Sequence, residues 1–269
     1  MNRKKIFRWL KVIIIVYCII GIALYYLQEK FLFHPVALDK NYSYQFNMPF
    51  KEITLDLDAN TQYNMVVFLP KNDSIVKGAV LYFHGNKENI NRYAKFANNF
   101  TKNGYEVWMV DYPTFGKTNG KLTEQNLYSQ ALEVYKMANA KFGKDSIIIY
   151  GKSLGTGIAT QLASIRNCKK IILETPYCSM TSLAQRYCFI YPVKPMLKYK
   201  LPSNAYIKKI TDPISIFQGT NDGVVPYSNA YKLNNLLKKN DEFITIKKGT
   251  HNNLNDFTLY HTKLDSLLK

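Results

Sequence analysis

The order of apolar segments predicts an α/β fold built on a mainly parallel sheet of about eight strands. Short β-branched runs alternate with longer amphipathic stretches along most of the chain. The central runs are apolar at every position, which is typical of strands covered by helices on both faces. The first two runs resemble a hairpin, so the sheet begins antiparallel.

Strands are predicted at 52–57, 63–69, 79–83, 106–110, 146–150, 170–174, 214–218 and 243–247. Helices are predicted at 90–101, 123–142, 154–164, 227–237 and 254–268. Residues 177–209 interrupt this alternation and are too long for a simple loop, which indicates a cap insertion with helical turns. Its apolar side chains could line an acyl pocket, and a solvated connector with ordinary lysines is the alternative. These side chains are Phe189, Ile190, Tyr191, Val193, Met196 and Leu197.

The composition is that of a globular protein with an excess of positive charge. Hydrophobic residues make up 47% of the 269 residues, and the net charge is +17. Lysines solvated at the surface or an attraction to anionic lipid both account for this charge. The sequence has no zinc-ligand spacing and no RNA-binding signature, so we expect no nucleic-acid partner.

The N-terminus predicts a membrane anchor. Residues 12–27 carry no charge, and with flanking apolar residues the segment reaches about 20 residues, the length of a membrane span. A cleaved signal peptide is the alternative, but no small-residue cleavage pattern follows. Five basic residues precede the span, which predicts a cytosolic N-terminus and a body on the periplasmic or extracellular side. The predicted organisation is a tail and anchor at 1–30 and one folded domain at 31–269.

The four cysteines do not make a disulfide framework. Cys18 lies in the apolar segment, which leaves the odd number of three in the body. Cys178 and Cys188 could pair across a short loop. Free thiols are the preferred interpretation.

A G-x-S-x-G motif at Gly151-Lys152-Ser153-Leu154-Gly155 carries the strongest functional signal. A predicted strand precedes it and a predicted helix follows. In such a turn the glycines remove side chains that would collide, and the serine is left exposed above the sheet. Ser153 is therefore the candidate nucleophile.

A serine nucleophile needs a base within reach. The chain has four histidines: His34, His84, His251 and His261. Only His251 follows the last predicted strand, in a loop at the sheet edge that carries Ser153, so it is the candidate base. His84 is expected to fix its own loop, and His261 to lie on a helix surface.

The base needs a carboxylate to orient it. Asp222 lies in the loop after the strand 214–218, where strand ends carry the functional groups of open α/β sheets. Glu174, at the end of an earlier strand, is the alternative acid. The oxyanion of a tetrahedral intermediate needs backbone donors, which we expect from the N–H groups of Leu154 and Asn86.

These pieces together resemble the α/β-hydrolase superfamily. The matching segments are Phe83-His84-Gly85-Asn86, Asp111-Tyr112…Gly116, Gly151–Gly155, Gln218–Pro226 and His251-Asn252. They look like the branch of single-span, membrane-anchored α/β-hydrolase-domain proteins. The resemblance covers roughly residues 50–269 and implies the α/β-hydrolase fold and serine hydrolase activity, with no metal or organic cofactor. Residues Pro113-Thr114 stand where that family often has Arg-Gly, which affects substrate preference and not the triad.

The expected function is cleavage of an acyl ester or thioester through an acyl-enzyme, with a lipid-like or acylated substrate. A peptidase or amidase on the same scaffold is the first alternative. A non-catalytic binding protein is the second, although no triad member is missing.

Overall fold

The structure is a computed structural model that describes residues 3–58, 61–71 and 76–269. Residues 1 and 2 of the predicted tail lie outside this range. Eight strands form one sheet. They are β1 (Phe50–Asp58), β2 (Thr61–Phe68), β3 (Gly78–Phe83), β4 (Tyr105–Val110), β5 (Ile147–Lys152), β6 (Lys170–Glu174), β7 (Ile214–Gly219) and β8 (Glu242–Ile246).

The sheet order is β8-β7-β6-β5-β3-β4-β2-β1. The six strands from β8 to β4 are parallel, whereas β2 is antiparallel to both β4 and β1. The prediction of a mainly parallel sheet with an antiparallel start is therefore confirmed. Because the parallel strands share a direction, their carboxyl ends meet at one edge, where the loops after β3, β5, β7 and β8 lie together.

Ten helices are described. They are α1 (Arg3–Leu32), α2 (Ile90–Tyr93), α3 (Asn98–Thr101), α4 (Glu124–Phe142), α5 (Gly155–Ala163), α6 (Met180–Tyr187), α7 (Val193–Met196), α8 (Ser203–Ile207), α9 (Tyr227–Ala230) and α10 (Thr258–Leu267). The predicted helix 90–101 is divided, because a 3₁₀ turn at Ala94–Phe96 separates α2 from α3. The predicted helix 227–237 is mostly a 3₁₀ helix after α9.

Each central strand buries side chains on both faces. Leu81 and Ile149 belong to a core cluster that α4 and α5 cover. Their strand neighbours Tyr82 and Ile148 belong to a second cluster that α2, α3 and α10 cover. Two covered faces explain why these strands are apolar at every position.

The first helix is attached to the body over its second half. By length and composition α1 can cross a membrane, and none of its most apolar stretch is buried. After the helix, Phe33 enters the core, where its ring meets the ring of Tyr199 at 4.8 Å. His34–Pro35 then pairs with Lys87–Glu88 as a small parallel ladder.

Candidate active site

Ser153 lies on a tight turn between β5 and α5. Its φ of 51° is in the left-handed region, which costs energy for any residue with a side chain. The turn also packs closely against the sheet: a Cβ on Gly155 would lie 2.0 Å from the carbonyl oxygen of Phe83, and one on Gly151 would lie 2.6 Å from that of Gly155. The N–H of Ser153 donates to the carbonyl of Glu174 at 2.9 Å. These constraints hold the serine at the carboxyl edge of the sheet.

The structure brings the three predicted triad residues into one hydrogen-bonded row. Ser153 Oγ lies 2.8 Å from His251 Nε2, and His251 Nδ1 lies 2.8 Å from Asp222 Oδ2. A proton on Nδ1 donates to the carboxylate, which leaves Nε2 to accept from the serine hydroxyl. This row has the geometry that serine nucleophile activation requires.

The carboxylate of Asp222 is held by its own loop. Its Oδ1 accepts the N–H groups of Val224 at 2.9 Å and Val225 at 2.8 Å. The side-chain amide of Gln218 donates to Oδ2 at 3.1 Å. The carboxylate is therefore fixed, buried and still available to the histidine. Gln218 has no sequence motif of its own, so reasoning from the sequence missed this orienting contact.

The loop that carries Asn86 lies beside Ser153, as does Leu154 at the start of α5. A Cβ on Gly85 would lie 3.7 Å from the Cβ of Ser153. The carbonyl of Asn86 accepts the N–H of His34 at 2.8 Å, and the amide of Asn86 donates to the carbonyl of Leu32 at 2.8 Å. The chain directly after α1 therefore anchors this loop, a contact that the sequence pattern did not reveal.

His84 occupies a closed site away from the nucleophile. The imidazole is fully buried, its Nδ1 donates to the carbonyl of Gly85 at 2.7 Å, and its ring lies 4.2 Å from that of Tyr112. Its Nε2 lies 3.3 Å from Asp111 Oδ1 without the alignment of a hydrogen bond. Burial raises the pKa of Asp111. The placement agrees with the expected structural role of His84.

The other two histidines make no described hydrogen bond to the row, although His34 lines a cleft that also contains Ser153. His34 is exposed, and the Nε2 of His261 lies 2.6 Å from the carbonyl oxygen of Asn255.

Glu174 does not meet His251. Its carboxylate binds the ammonium of Lys152 and the hydroxyls of Tyr150 and Tyr260, the last at 3.0 Å. Burial raises the pKa of both tyrosines, so they remain neutral donors. This buried cluster ties β5 to β6 and α10. Glu174, the alternative acid, is therefore bound within a different hydrogen-bond network.

Two clefts meet at Ser153. The first, called the basic cleft, has a volume of about 310 Å³ and contains His34, Lys87, Arg92, Lys95 and Lys152 in its wall. The described residues that line it include no Asp or Glu. The second, the inner apolar cleft, has about 330 Å³ and is walled by Phe31, Leu32, Met180, Leu183, Ala184 and Cys188. One side of the serine is therefore positively charged and the other apolar.

The described residues contain neither a cluster of potential metal ligands nor a disulfide. No group of three or more His, Cys, Asp or Glu side chains within them could hold a metal ion. Cys178 and Cys188 are both free thiols, as are Cys18 and Cys168. Burial raises the pKa of Cys168 and of Cys178, which keeps these thiols protonated and unreactive.

Sequence comparison finds a matching family and similar curated proteins. A family described as serine aminopeptidase, S33, matches residues 74–206, a segment that contains Ser153 but not Asp222 or His251. Alpha/beta hydrolase domain-containing protein 17C of Xenopus tropicalis is 27% identical over 197 residues, which are 70% of this chain and 61% of that protein. The human protein ABHD12B is 30% identical over 174 residues, 57% of this chain and 48% of that protein. The aligned part thus spans about 60% or less of these relatives.

Solved structures share the fold at low sequence identity. An esterase from Pyrococcus furiosus has a TM-score of 0.66 at 16% identity and covers 88% of this chain and 97% of its own. A soluble variant of monoglyceride lipase from Saccharomyces cerevisiae has a TM-score of 0.64 at 14% identity and covers 85% of this chain and 97% of its own. Together with the sheet order, these likenesses show that the chain has the α/β-hydrolase fold, the fold of the superfamily that its sequence motifs resemble.

Proposed function

We propose that this protein is a membrane-anchored serine hydrolase that cleaves an acyl ester or thioester through an acyl-enzyme. The observation that carries the proposal is the row of two 2.8 Å contacts from Ser153 Oγ to His251 and from His251 to Asp222. The esterase and lipase fold neighbours support hydrolytic chemistry in general.

In the proposed reaction, Ser153 Oγ attacks the acyl carbonyl while His251 Nε2 takes the hydroxyl proton. Asp222 stabilises the imidazolium, which then gives the proton to the leaving alcohol or thiol. Backbone N–H groups of Leu154 and Asn86 bind the oxyanion. Water, deprotonated by the same histidine, attacks the acyl-enzyme, releases the acid and restores the serine.

A peptidase is the second candidate, since the matching family is described as a serine aminopeptidase. An aminopeptidase must bind a protonated α-amino group near the scissile bond, for which a carboxylate is the natural partner. The basic cleft beside Ser153 instead presents Lys87 and Lys95, while Arg92 in the same wall is paired with Glu88. This charge favours a substrate whose polar part is neutral or anionic.

A labelling experiment followed by a substrate panel tests the proposal. A fluorophosphonate should label the full chain in detergent, and Ser153→Ala should remove the label. The panel compares p-nitrophenyl acetate, an S-acyl thioester and an aminoacyl p-nitroanilide. Ester or thioester turnover well above anilide turnover is expected. Labelling that persists in the alanine variant, or preferential anilide cleavage, contradicts the proposal.

The membrane part of the proposal rests on α1, a 30-residue helix with basic residues at its start. Positive charge is retained on the cytosolic side, so the hydrolase domain lies on the periplasmic or extracellular side with an uncleaved anchor. Protease added to cells stripped of their outer layer should digest the domain without lysis. Protection of the domain until the membrane is dissolved reverses the orientation.

A further inference from the structure

The second half of α1 is attached to the cap insertion by specific contacts. The rings of Tyr17 and Tyr191 stack at 4.5 Å with an interplanar angle of 7°. A Cβ on Gly21 would lie only 3.0 Å from the ring of Tyr191, so glycine makes room for this approach. Nearer the end of the helix, the Gln28 side chain bonds the carbonyl of Met196 at 3.2 Å and the N–H of Lys198 at 2.8 Å. The cap therefore follows α1 for about three turns.

This attachment sets the depth of the cap if α1 crosses a bilayer. The stretch without charge between Lys11 and Glu29 is about 26 Å long at 1.5 Å per residue, close to the roughly 30 Å of a hydrocarbon core. Tyr17 lies about 9 Å from Lys11 and about 18 Å from Glu29 along this axis. The helix before Tyr17 measures only about 21 Å and is too short to span the core by itself. Tyr191 must then lie within the hydrocarbon beside Tyr17.

The polar groups of this contact are paired as a lipid environment requires. The hydroxyl of Tyr17 donates to the carbonyl of Ile190 at 2.9 Å, and that of Tyr191 donates to the carbonyl of Tyr17 at 3.0 Å. Because hydrocarbon contains no water, an unpaired hydroxyl there costs on the order of several kcal/mol. The reciprocal pair leaves an apolar outer surface.

Three exposed side chains beside the contact are large and apolar, and the exposed charges of Arg186 and Lys194 flank them. Tyr187 is 58% exposed, Phe189 75% and Ile190 59%. Phe189 and Ile190 do not line the clefts described at Ser153, contrary to the expectation that they form an acyl pocket. Their exposure is explained by the same lipid that surrounds the outer face of α1. Because the patch is continuous with a helix that can cross a membrane, the bilayer leaflet is its partner.

A third cleft connects this region to the active site. The outer apolar cleft has a volume of about 250 Å³ and is walled by Leu24, Tyr191, Val193, Met196 and Leu197. It shares Phe31, Leu32, Ala184 and Cys188 with the inner apolar cleft, which reaches Ser153. From Leu32, which both clefts share, to Leu24, at the far end of the outer cleft, the wall formed by α1 runs for about 12 Å. A continuous apolar path thus leads from the leaflet to the nucleophile.

We propose that the Tyr187–Tyr191 loop is immersed in the leaflet beside α1, and that the acyl chain of a membrane-resident substrate reaches Ser153 sideways along the two apolar clefts. This inference rests on the proposed function and names its substrate class: a long acyl chain that stays in the bilayer during hydrolysis. Residues of α1 are therefore specificity-determining, and the helix is one wall of the binding site as well as an anchor.

The depth is tested with an environment-sensitive fluorophore at position 190. The full chain carrying Ile190→Cys, with its four native cysteines replaced by serine, is labelled with a nitrobenzoxadiazole probe in vesicles of phosphatidylcholine and phosphatidylglycerol. Blue-shifted emission and strong quenching by doxyl-labelled lipid are expected. The control label at Asp145→Cys, whose side chain is exposed at the opposite sheet edge, should show neither effect. Equal emission and quenching at both sites overturn the immersion of the loop.

The acyl path is tested with two tryptophans on one helix. Leu24→Trp fills the outer cleft, whereas Ile22→Trp lies two residues away on the exposed surface of α1. The readout is the ratio of kcat/KM for p-nitrophenyl palmitate to that for p-nitrophenyl acetate in the same vesicles. Leu24→Trp should lower this ratio at least tenfold, and Ile22→Trp should change it less than twofold. An unchanged ratio in both variants, or an equal fall in both, overturns the path.

The two proposals fail in different ways. If the serine hydrolase assignment is wrong, wild-type protein lacks both acetate turnover and fluorophosphonate labelling at Ser153. If only the acyl path is wrong, acetate turnover and labelling remain and the palmitate ratio does not respond. Leu24→Phe, which adds less volume, replaces the tryptophan variant if that protein does not fold, and should lower the ratio in the same direction.

Discussion

The molecule contains two pairs of histidine and aspartate at the same edge of its sheet, and they have opposite surroundings. His251 and Asp222 form an aligned 2.8 Å hydrogen bond, and the other ring nitrogen of His251, Nε2, contacts Ser153 Oγ. His84 and Asp111 are fully buried, 3.3 Å apart and poorly aligned, with aromatic rings around the imidazole. A histidine beside an aspartate is therefore not enough for catalysis. The useful pair also needs a free ring nitrogen that faces a nucleophile and a cleft.

Replacement of Ser153 should have the largest effect, because a serine in contact with the imidazole distinguishes the His251–Asp222 pair from the His84–Asp111 pair. Ser153→Ala should reduce kcat for p-nitrophenyl acetate by on the order of 10⁶, as in a comparable triad. The thermal unfolding midpoint should stay within a few degrees of the wild type, since the hydroxyl supports no other described contact than that with His251. Wild-type turnover in purified Ser153→Ala protein, with contaminating esterase excluded, contradicts the assignment.

The two aspartates should differ by orders of magnitude. Asp222→Asn should lower kcat by about 10⁴, because the amide presents the wrong partner to the imidazole. Asp111→Asn, the matched change in the closed pair, should lower it less than tenfold. Steady-state kinetics on both variants at pH 7.5 give the measurement. Similar losses in the two variants mean that His84–Asp111 takes part in the chemistry.

Glu174, the third buried carboxylate, should contribute to the stability of the fold and not to the orientation of His251. Glu174→Gln leaves the ammonium of Lys152 buried without its counter-charge, which costs about 3–5 kcal/mol. Urea unfolding in a mild detergent measures this difference. Glu133→Gln, which breaks an exposed pair with Lys136, is the control and should cost less than about 1 kcal/mol. A large loss of kcat with unchanged stability assigns Glu174 to catalysis instead.

Truncation of His84, the buried histidine, should mainly lower the free energy of unfolding. His84→Ala removes a ring packed between Tyr93 and Tyr112 and a hydrogen bond to Gly85. The expected loss in the free energy of unfolding is about 2–3 kcal/mol. Turnover should fall much less than in His251→Ala, since only the loop beside the nucleophile is loosened. Unfolding curves and kinetics are compared for the two alanine variants, and equal loss of turnover contradicts the distinction.

The smallest expected effect is on how the free energy of unfolding depends on pH. Burial raises the pKa of Asp111, so the folded chain holds this proton more tightly than the unfolded chain. Its contribution to stability is complete below the ordinary pKa of about 4 and is lost as pH rises through the raised value. Asp111→Asn should therefore make the free energy of unfolding fall less steeply above pH 4. Asp145→Asn, an exposed control, should keep the wild-type slope, and equal slopes in all three proteins refute the effect.

Much of this arrangement could be predicted from local patterns. The G-x-S-x-G turn, the positions of the strands along the chain and the loops that carry Asp222 and His251 all follow from residues close together in the sequence. Local patterns favoured Asp222 as the acid but did not exclude Glu174, which ends an apolar strand. Only the packing of Lys152, Tyr150 and Tyr260 around Glu174 decides between them.

The cap and α1 were harder to predict for the same physical reason. The segment 177–209 was expected to contain helical turns, and it does, as α6 to α8. That Phe189 faces outward while Leu24 of α1 lines a cleft depends on contacts between parts of the chain some 170 residues apart. A period in the sequence identifies the buried face of a helix but not the distant segment that covers it.

The contact between Ser153 and His251 joins residues 98 positions apart, and the base comes after an edge strand that pairs only with β7. On the ribosome, which adds about 5–20 residues per second, Ser153 is made roughly 5–20 s before His251. The row of Ser153, His251 and Asp222 is complete only after His251 has been synthesised and β8 has joined the edge of the sheet.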